Sequence, residues 1–244
     1  WTTPHTRARI LDERQIVAEP VGKSPEGVRK RFLLYYILPA LLARRGFITL
    51  HATSAQTPEG AVLLVGPSGS GKSSLLAGLL KRGCQMISDD ISVLQLQSAG
   101  IVEALPVYPT FRLCLDALDR LSPVAERTTL LSNGKKAIVR IRESDRSSGS
   151  VPLRSILFLN GEPGNDLSIR RTEGMAAFHS IQENCYPPVS LCPSPADVER
   201  LSKLFGIPMY EVARPDGRWT VGQLADRILQ LKMPAPPSRG PDHG

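Results

Sequence analysis

Aromatic residues are scarce in this sequence. Six phenylalanines, five tyrosines and two tryptophans make up 5% of its 244 residues. Proteins that bind nucleic acid often interleave aromatic and basic side chains on one surface, and no such patch is present. We therefore expect no nucleic-acid partner, although lysine and arginine outnumber aspartate and glutamate by 30 to 23. The net charge of +7 fits an ordinary solvated surface, an acidic substrate or a phosphate-rich ligand.

Cysteine is also rare, and its spacing excludes two kinds of site. The four cysteines are Cys84, Cys114, Cys185 and Cys192. None forms a Cys-x-x-Cys pair, which argues against a zinc site and against a thiol–disulfide redox motif. No secretory signal is visible in a sequence that begins with Trp1. Reduced thiols in a cytoplasmic protein are the expected state.

No hydrophobic run is long enough to span a membrane. The most apolar stretch, residues 32–43, has twelve residues between pairs of basic residues, and a bilayer needs ~20. Pro39 should kink a helix at this point. We predict a buried helix here, and a contact in a homo-oligomer or a helix on a membrane surface are the alternatives.

The sequence contains no internal repeat, and its length fits one large domain. We predict that residues 1–233 form a single domain, with an N-terminal helical segment at 1–46 and a catalytic core at 47–233. Residues 234–244 are rich in proline and glycine, so this tail should be disordered. Apolar runs predict strands at 91–96, 137–141, 155–159 and 209–213, and helices at 175–179, 194–204 and 221–231. Residues 111–115 are either another strand or the entry to a helix at 116–121.

The most informative stretch is residues 61–90. An apolar run at 61–65 predicts a buried strand, and residues 66–73 (GPSGSGKS) match the phosphate-binding loop pattern, also called Walker A. In such a loop, backbone N–H groups and the dipole of the following helix bind phosphates. Lys72 would reach the β- and γ-phosphates, and the Ser73 hydroxyl would bind Mg²⁺. The expected ATP-binding residues are Gly66, Pro67, Ser68, Gly69, Ser70, Gly71, Lys72, Ser73 and Ser74.

Two further sites flank this loop. A β-rich run at 47–53 and a turn at 56–60 predict a hairpin that places His51 close to the nucleotide. After the loop and its helix, residues 84–88 should form a strand that ends in Asp89 and Asp90. Carboxylates at this position bind Mg²⁺ or accept a proton in phosphoryl transfer, and an ordinary turn or the start of a helix is the alternative.

Together these features resemble the catalytic domain of the HPr kinase/phosphorylase family. The matching residues are a histidine at a strand end (His51), the loop at 66–73, Lys81-Arg82-Gly83 after the helix, and the Asp89-Asp90 pair. His51 precedes Lys72 by 21 residues and Asp90 follows it by 18, as expected of that family. The resemblance covers residues 47–95 well. It implies an α/β fold with a P-loop nucleotide-binding domain and a mixed sheet, similar to phosphoenolpyruvate carboxykinase.

The resemblance also implies roles for these residues. Asp90 would be the base that takes the proton from an acceptor hydroxyl, and Asp89 would help Ser73 to hold Mg²⁺. His51 would lie near the γ-phosphate, and Lys72 would neutralise charge on the transferred group. ATP and Mg²⁺ are the implied nucleotide and cofactor, and a peptide or small protein is the implied acceptor.

One family feature is missing. The signature Glu-Ile-Arg-Gly-Leu-Gly is absent, which argues against phosphorolysis. The element at 109–113 is similar to stand-alone HPr-kinase-like proteins, some of which phosphorylate a serine on a lasso-peptide precursor. We therefore predict a serine kinase without phosphorylase activity.

Two other classes of function remain. One is a mechanical P-loop ATPase, against which the sequence lacks a Leu-Ser-Gly-Gly-Gln motif and, at 156–162, the aspartate that would end a catalytic strand. The other is a nucleotide-binding regulator without transfer chemistry.

Overall fold

The structure is a computed structural model that describes residues 2–12, 14–23, 25–97, 100–121, 125–131, 134–159, 164–186 and 195–231. The strands are β1 (Thr6–Ile10), β2 (Ile16–Pro20), β3 (Ile48–Leu50), β4 (Ala52–Thr57), β5 (Gly60–Val65), β6 (Gln85–Ser88), β7 (Ser92–Leu96), β8 (Val102–Leu105), β9 (Thr110–Cys114), β10 (Arg127–Leu130), β11 (Lys136–Arg140), β12 (Val151–Phe158), β13 (Ser168–Thr172) and β14 (Met209–Ala213). The helices are α1 (Glu26–Phe32), α2 (Leu38–Arg44), α3 (Lys72–Leu80), α4 (Leu115–Leu121), α5 (Gly174–Glu183), α6 (Pro195–Ser202) and α7 (Val221–Gln230).

A nine-stranded mixed sheet organises the fold. Its strands lie in the order β3-β7-β8-β12-β5-β4-β6, and β14 joins β12 and carries β13 at its outer side. β5, β12 and β14 run parallel, whereas the other pairs are antiparallel. The predictions of an α/β class and a mixed sheet are therefore confirmed. Separately, β9, β10 and β11 form a three-stranded antiparallel sheet.

The sheet is buried on both faces, which explains the unbroken apolar run of β5. Val62 and Leu64 point into one core with α3, α4 and α7. Leu63 and Val65 point into a second core with α5 and α6. A strand covered on both sides reads as a continuous hydrophobic run because neither set of alternate residues meets water.

Helix α3 is buried nearly all round. Its residues from Leu75 to Leu80 are all buried, because the helix lies between the sheet, β9, α4 and α7. At Gly78 the contact with α7 is so close that a Cβ atom would lie 2.7 Å from Val221 Cγ1. The helix that follows the glycine-rich loop is thus held in place by tertiary packing rather than by its own sequence propensity.

The first 46 residues differ from the expected helical segment. They begin with a hairpin of β1 and β2, and helix occupies only Glu26–Arg44. The apolar stretch at 32–43 does form a helix, but Leu33–Ile37 is a π turn rather than an α turn. Pro39 has no N–H to donate to the preceding turn, and a π turn is one way for a helix to continue past such a gap.

Most predicted elements appear close to their predicted places, including the strands at 91–96, 137–141 and 209–213 and the helix at 221–231. The predicted 47–53 strand is broken at His51 into β3 and β4. The predicted tail at 234–244, residue 194 and residues 160–162 lie outside the described residues. Within the described part of the chain, no helix is both long and apolar enough to cross a membrane. Cys84, Cys114 and Cys185 are free thiols.

Candidate active site

Strand β5 leads directly into a glycine-rich loop, residues 66–71, and then into α3. Gly66, Gly69 and Gly71 have φ angles of 155°, 88° and 85°, and such positive values favour glycine over residues with a Cβ atom. A Cβ atom at Gly66 would also lie 3.0 Å from Ser70 Oγ. The sequence-predicted loop therefore adopts a tight backbone path that only these glycines allow.

The Lys72 side chain turns back into this loop. It is only 7% exposed, and its Nζ donates to the carbonyl oxygens of Gly66 (2.6 Å) and Pro67 (3.1 Å). Burial lowers the pKa of Lys72. Its ammonium group is thus held by two neutral carbonyl oxygens of the loop. A bound anion would compete with these oxygens for the ammonium group.

Asp89 forms the floor of the site. Its carboxylate accepts hydrogen bonds from the hydroxyls of Thr53 (2.6 Å) and Ser73 (3.0 Å) and from the backbone N–H of Arg112 (3.2 Å). Burial, followed by the neighbouring charge of Asp90, raises the pKa of Asp89, and the hydrogen bonds oppose this shift. The contact with Ser73 joins the two residues that the sequence analysis assigned to Mg²⁺.

Asp90 lies at the rim, in an unusual backbone conformation. Its φ angle is 64°, in the left-handed region that aspartate and asparagine tolerate better than other residues with side chains. Its carboxylate is 3.2 Å from the Arg112 guanidinium, which in turn lies 4.7 Å from the centre of the Tyr35 ring. The turn directs the Asp90 side chain out of the core, where a ligand can reach it.

His51 lies at the break between β3 and β4, and its contacts fix its protonation. Its Nδ1 is 3.1 Å from the backbone carbonyl oxygen of Asp90, and its Nε2 is 3.3 Å from Lys72 Nζ. A carbonyl only accepts and an ammonium only donates, so Nδ1 carries the proton and Nε2 is an acceptor. Burial and the charge of Lys72 lower the pKa of His51, which favours this neutral form.

The segment at 184–186 brings the Tyr186 ring close to the His51 ring. The backbone N–H of His51 donates to the backbone carbonyl oxygen of Asn184 (2.6 Å), and the backbone N–H of Tyr186 donates to the backbone carbonyl oxygen of Thr49 (2.8 Å). These bonds place the Tyr186 hydroxyl 3.4 Å from His51 Nδ1. His51 is therefore enclosed from two sides.

One small cavity, of about 100 Å³, collects most of these groups. Its walls include the three residues predicted to be catalytic, His51, Lys72 and Asp90, and most of the predicted ATP-binding residues. Gly66, Pro67, Ser70 and Asp89 are not part of this lining. The complete lining is His51, Ser68, Gly69, Gly71, Lys72, Ser73, Ser74, Asp90, Arg112, Cys114 and Lys136.

The site fits a magnesium ion that is shared with a phosphate ligand. Among the described residues, no group of three or more His, Cys, Asp or Glu side chains could hold a metal ion alone. Ser73 and Asp89 offer hydroxyl and carboxylate oxygens, and Mg²⁺ is commonly bound by one or two carboxylates together with substrate phosphates. The buried Ser70 Oγ has no hydrogen-bond partner in the described structure, which also suits a polar ligand at the loop.

Sequence reasoning missed several residues of the site. Arg112 contacts Asp89 through its backbone and Asp90 through its side chain, and Tyr35, Tyr186 and Lys136 also lie at the site. Arg112 lies in the element at 109–113, but that pattern assigned it no role. No local motif marks Tyr35, Tyr186 or Lys136, because tertiary packing alone brings them here. By contrast, Arg82 of the predicted Lys81-Arg82-Gly83 element points away from the cavity and joins α3 to α7, donating to Asp226 (2.6 Å) and to Gly222 O (2.9 Å).

Neither a protein-family model nor a curated protein matches the sequence. Among solved structures, the chain is similar to the HPr(Ser) kinase/phosphatase from Coxiella burnetii. The identity is 14% and the TM-score is 0.38, over 75% of this chain and 93% of that chain. A likeness of this size identifies neither an activity nor a substrate. What the site can do therefore follows from its own side chains.

Proposed function

We propose that this protein is an ATP-dependent kinase that transfers the γ-phosphate to a serine hydroxyl of a peptide or small protein. The observation that carries the proposal is the shared cavity of Lys72, His51 and Asp90, directly above the Ser73–Asp89 contact. Phosphoryl transfer needs positioning and neutralisation of charge more than covalent help from the protein. The Lys72 ammonium group, the Ser73–Asp89 pair and the partly exposed Asp90 carboxylate, which is paired with Arg112, together provide those functions.

In the proposed mechanism, Asp90 accepts the proton of the acceptor hydroxyl as its oxygen attacks the γ-phosphorus. The bond between the γ-phosphorus and the bridging oxygen breaks, and ADP leaves with that oxygen. Lys72 leaves the carbonyl oxygens of the loop and neutralises charge on the transferred group. Neutral His51 holds Lys72 in position by accepting a hydrogen bond at Nε2. It holds the backbone of Asp90 by donating from Nδ1 to the carbonyl oxygen of that residue.

Ser73 and Asp89 would hold Mg²⁺ together with the nucleotide phosphates. The ion supplies charge neutralisation on the phosphate oxygens when it is bound. In the present structure Asp89 already holds the Ser73 hydroxyl within the site. This contact keeps both oxygen ligands on the same side of the loop.

The acceptor is the finer part of the proposal. The resemblance to stand-alone HPr-kinase-like proteins favours a ribosomal peptide of the lasso-peptide precursor type. A P-loop ATPase and a nucleotide-binding regulator are the competing functions. All three classes would bind nucleotide, so only the fate of the γ-phosphate separates them.

The test uses ATP labelled at the γ-phosphate and peptides that contain one serine, including any short peptide encoded beside the gene. We expect label on the serine peptide and none on the matched peptide with alanine in its place. Rapid hydrolysis that no acceptor changes would instead identify an ATPase. Binding without either reaction would identify a regulator.

Phosphorolysis provides a second test. Because the Glu-Ile-Arg-Gly-Leu-Gly signature is absent, phosphorylated peptide incubated with inorganic phosphate should yield no pyrophosphate. The measurement is a coupled pyrophosphate assay, with kinase-active protein as the positive control for folding. Pyrophosphate above the background of the Lys72→Ala variant would contradict this expectation.

A further inference from the structure

Arg214 is a cation at the glycine-rich loop that the proposed function does not use. It directly follows β14, and its guanidinium donates to the backbone carbonyl oxygen of Ser70. A Cβ atom at Gly71 would lie 2.9 Å from its Nη1. Burial lowers the pKa of Arg214, yet among the described residues no carboxylate pairs with it. A half-buried guanidinium beside a phosphate-binding loop, without a counter-charge, indicates that an anionic ligand lies nearby.

Arg214 also lines a second cavity, distinct from the one that contains Asp90. This cavity has a volume of about 250 Å³ and lies between Leu159, Val212 and the segment at 214–220. Leu159 touches the other end of the glycine-rich loop, since a Cβ atom at Gly66 would lie 3.3 Å from Leu159 Cβ. The second cavity is therefore next to the loop at both of its ends.

The topology explains why these segments meet. β5, β12 and β14 are parallel neighbours, so their carboxyl ends lie at one edge of the sheet. The glycine-rich loop follows β5, Leu159 follows β12, and residues 214–220 follow β14. Ligands of parallel sheets bind in the crevice outside the carboxyl ends of the strands.

We infer that the second cavity binds the nucleoside, the base with its ribose, of the nucleotide whose phosphates lie in the glycine-rich loop. The inference rests on the proposed function, because it requires a nucleotide at that loop. Arg214 stands at the junction of the two parts, where the phosphates join the nucleoside. The first cavity is then left for the transferred phosphate and the acceptor.

The lining has the chemistry that a nucleoside needs. Leu159 and Val212 form the small apolar part of the lining against which a base could pack, and most of the remaining lining is polar. Asp216 is a carboxylate acceptor for ribose hydroxyls or for N–H groups of the base, and the Thr220 hydroxyl can donate or accept. The cavity volume of about 250 Å³ lies just below the range of roughly 300–1,000 Å³ that is typical of small-molecule sites, as expected for a subsite that holds only the nucleoside.

The experiment compares two ligands of the complete protein by isothermal titration calorimetry in the presence of Mg²⁺. ATP has phosphates and a nucleoside, whereas inorganic tripolyphosphate has only the phosphates. We expect the Asp216→Ala variant to bind ATP about tenfold more weakly, as for a lost hydrogen bond to a charged group, with its affinity for tripolyphosphate unchanged. Asp119→Ala, at an exposed residue of α4 outside both cavities, is the matched control and should bind both ligands like the wild type.

Trp219 gives an independent readout, because it lies in the 214–220 segment and the chain has only one other tryptophan, Trp1. In a Trp1→Phe background, ATP should change the Trp219 fluorescence more than tripolyphosphate at equal occupancy. If Asp216→Ala weakens the binding of both ligands equally, or of neither, the inference is wrong while nucleotide binding at the glycine-rich loop still stands. If neither ligand binds the wild type, both the proposed function and the inference fail.

Discussion

The candidate site has two sides that are built in different ways. The donor side, consisting of the glycine-rich loop, α3 and Asp89, comes from one continuous stretch at 60–89. Asp89 and most of α3 are buried, whereas residues 67–69 of the loop are exposed. The acceptor side comes from residues far apart in the sequence, including Tyr35, His51, Asp90, Arg112 and Tyr186. The side chains of Asp90 and Arg112 are 26% and 28% exposed. The geometry of the donor side is therefore fixed within one continuous stretch, whereas that of the acceptor side depends on how distant segments pack together.

The two sides also differ in the charge of the segments next to them. Residues 1–46, which end beside the acceptor side, contain nine basic and four acidic residues. Their surplus of five accounts for most of the net charge of +7 of the whole chain. Exposed apolar side chains are also concentrated there, with Val17, Val28, Leu34 and Tyr36 among them. This distribution suits recognition of a macromolecule rather than of a small metabolite.

Lys72→Ala should have the largest effect, because it removes the only buried ammonium group of the described donor side. We expect transfer to fall by about 10³-fold, the upper range for loss of one electrostatic group, together with weaker ATP binding. The measurements are labelled transfer and calorimetric titration. Lys81→Ala, at an exposed lysine directly after α3, is the matched control. Near-normal turnover in Lys72→Ala would remove the loop from the mechanism.

Asp90→Asn tests the acceptor side alone. It keeps the size of the side chain, and asparagine tolerates the left-handed backbone that alanine would strain. Transfer at saturating Mg²⁺ should fall by ~10²-fold, as for loss of a general base, while ATP affinity stays unchanged. If high Mg²⁺ restores the full rate, Asp90 is a metal ligand and the base is Asp89. Full transfer in the corresponding variants of both aspartates would contradict the kinase function.

Ser73→Ala tests whether the donor side holds Mg²⁺, and it should reduce transfer less than Asp90→Asn does. The loss of one oxygen ligand should move the Mg²⁺ concentration for half-maximal transfer upward by about tenfold, as for one charge-assisted contact. The rate at saturating Mg²⁺ should change much less. Asp89→Ala should act in the same direction, and EDTA should stop the reaction. Activity that persists in EDTA would exclude a metal requirement.

His51 lies between the two sides. Its substitution has the smallest expected effect of the four, which is a change in how folding stability depends on pH. Because the pKa of His51 is lowered in the folded protein, the unfolded chain binds its proton more readily. The stability that neutral His51 contributes is fully present above pH ~6.5, the ordinary histidine pKa, and is lost as the pH falls through the lower, folded value.

The measurement is urea unfolding of the wild type and His51→Gln between pH 7.5 and pH 5, roughly the range over which histidine titrates. The variant should lose less stability as the pH falls. His179→Gln, at an exposed histidine 3.0 Å from Glu183, is the control for the other histidines. Parallel curves for the wild type and His51→Gln would show that His51 is not buried as described.

The difference between the two sides also explains what the sequence could predict. The strand, loop and helix of residues 61–80 could be predicted from local sequence, because the apolar run and the placed glycines mark them. Their observed bounds are close to the predicted ones. The strand before Asp89 and the position of His51 were also predictable, because both flank that motif. Tyr186 and Arg214 were not, because their places depend on the packing of the segment at 184–186 and of the loop after β14. Arg112 lies in the element at 109–113, but its contacts with Asp89 and Asp90 depend on the packing of β9. The hairpin of β1 and β2 was missed because it is largely exposed, so its strands have little apolar content to mark them.

The π turn at Leu33–Ile37 has one consequence for the geometry of the acceptor side. A π turn contains one residue more than an α-helical turn, and each residue of an α-helix adds about 100° of rotation and 1.5 Å of rise. Helix α2 is fixed on β3, whereas β1 rests on the π turn. The direction in which the hairpin of β1 and β2 faces thus depends on the number of residues in this turn. Loss of a single residue from this turn would leave both helical halves intact and turn the hairpin by about a quarter of a circle relative to α2.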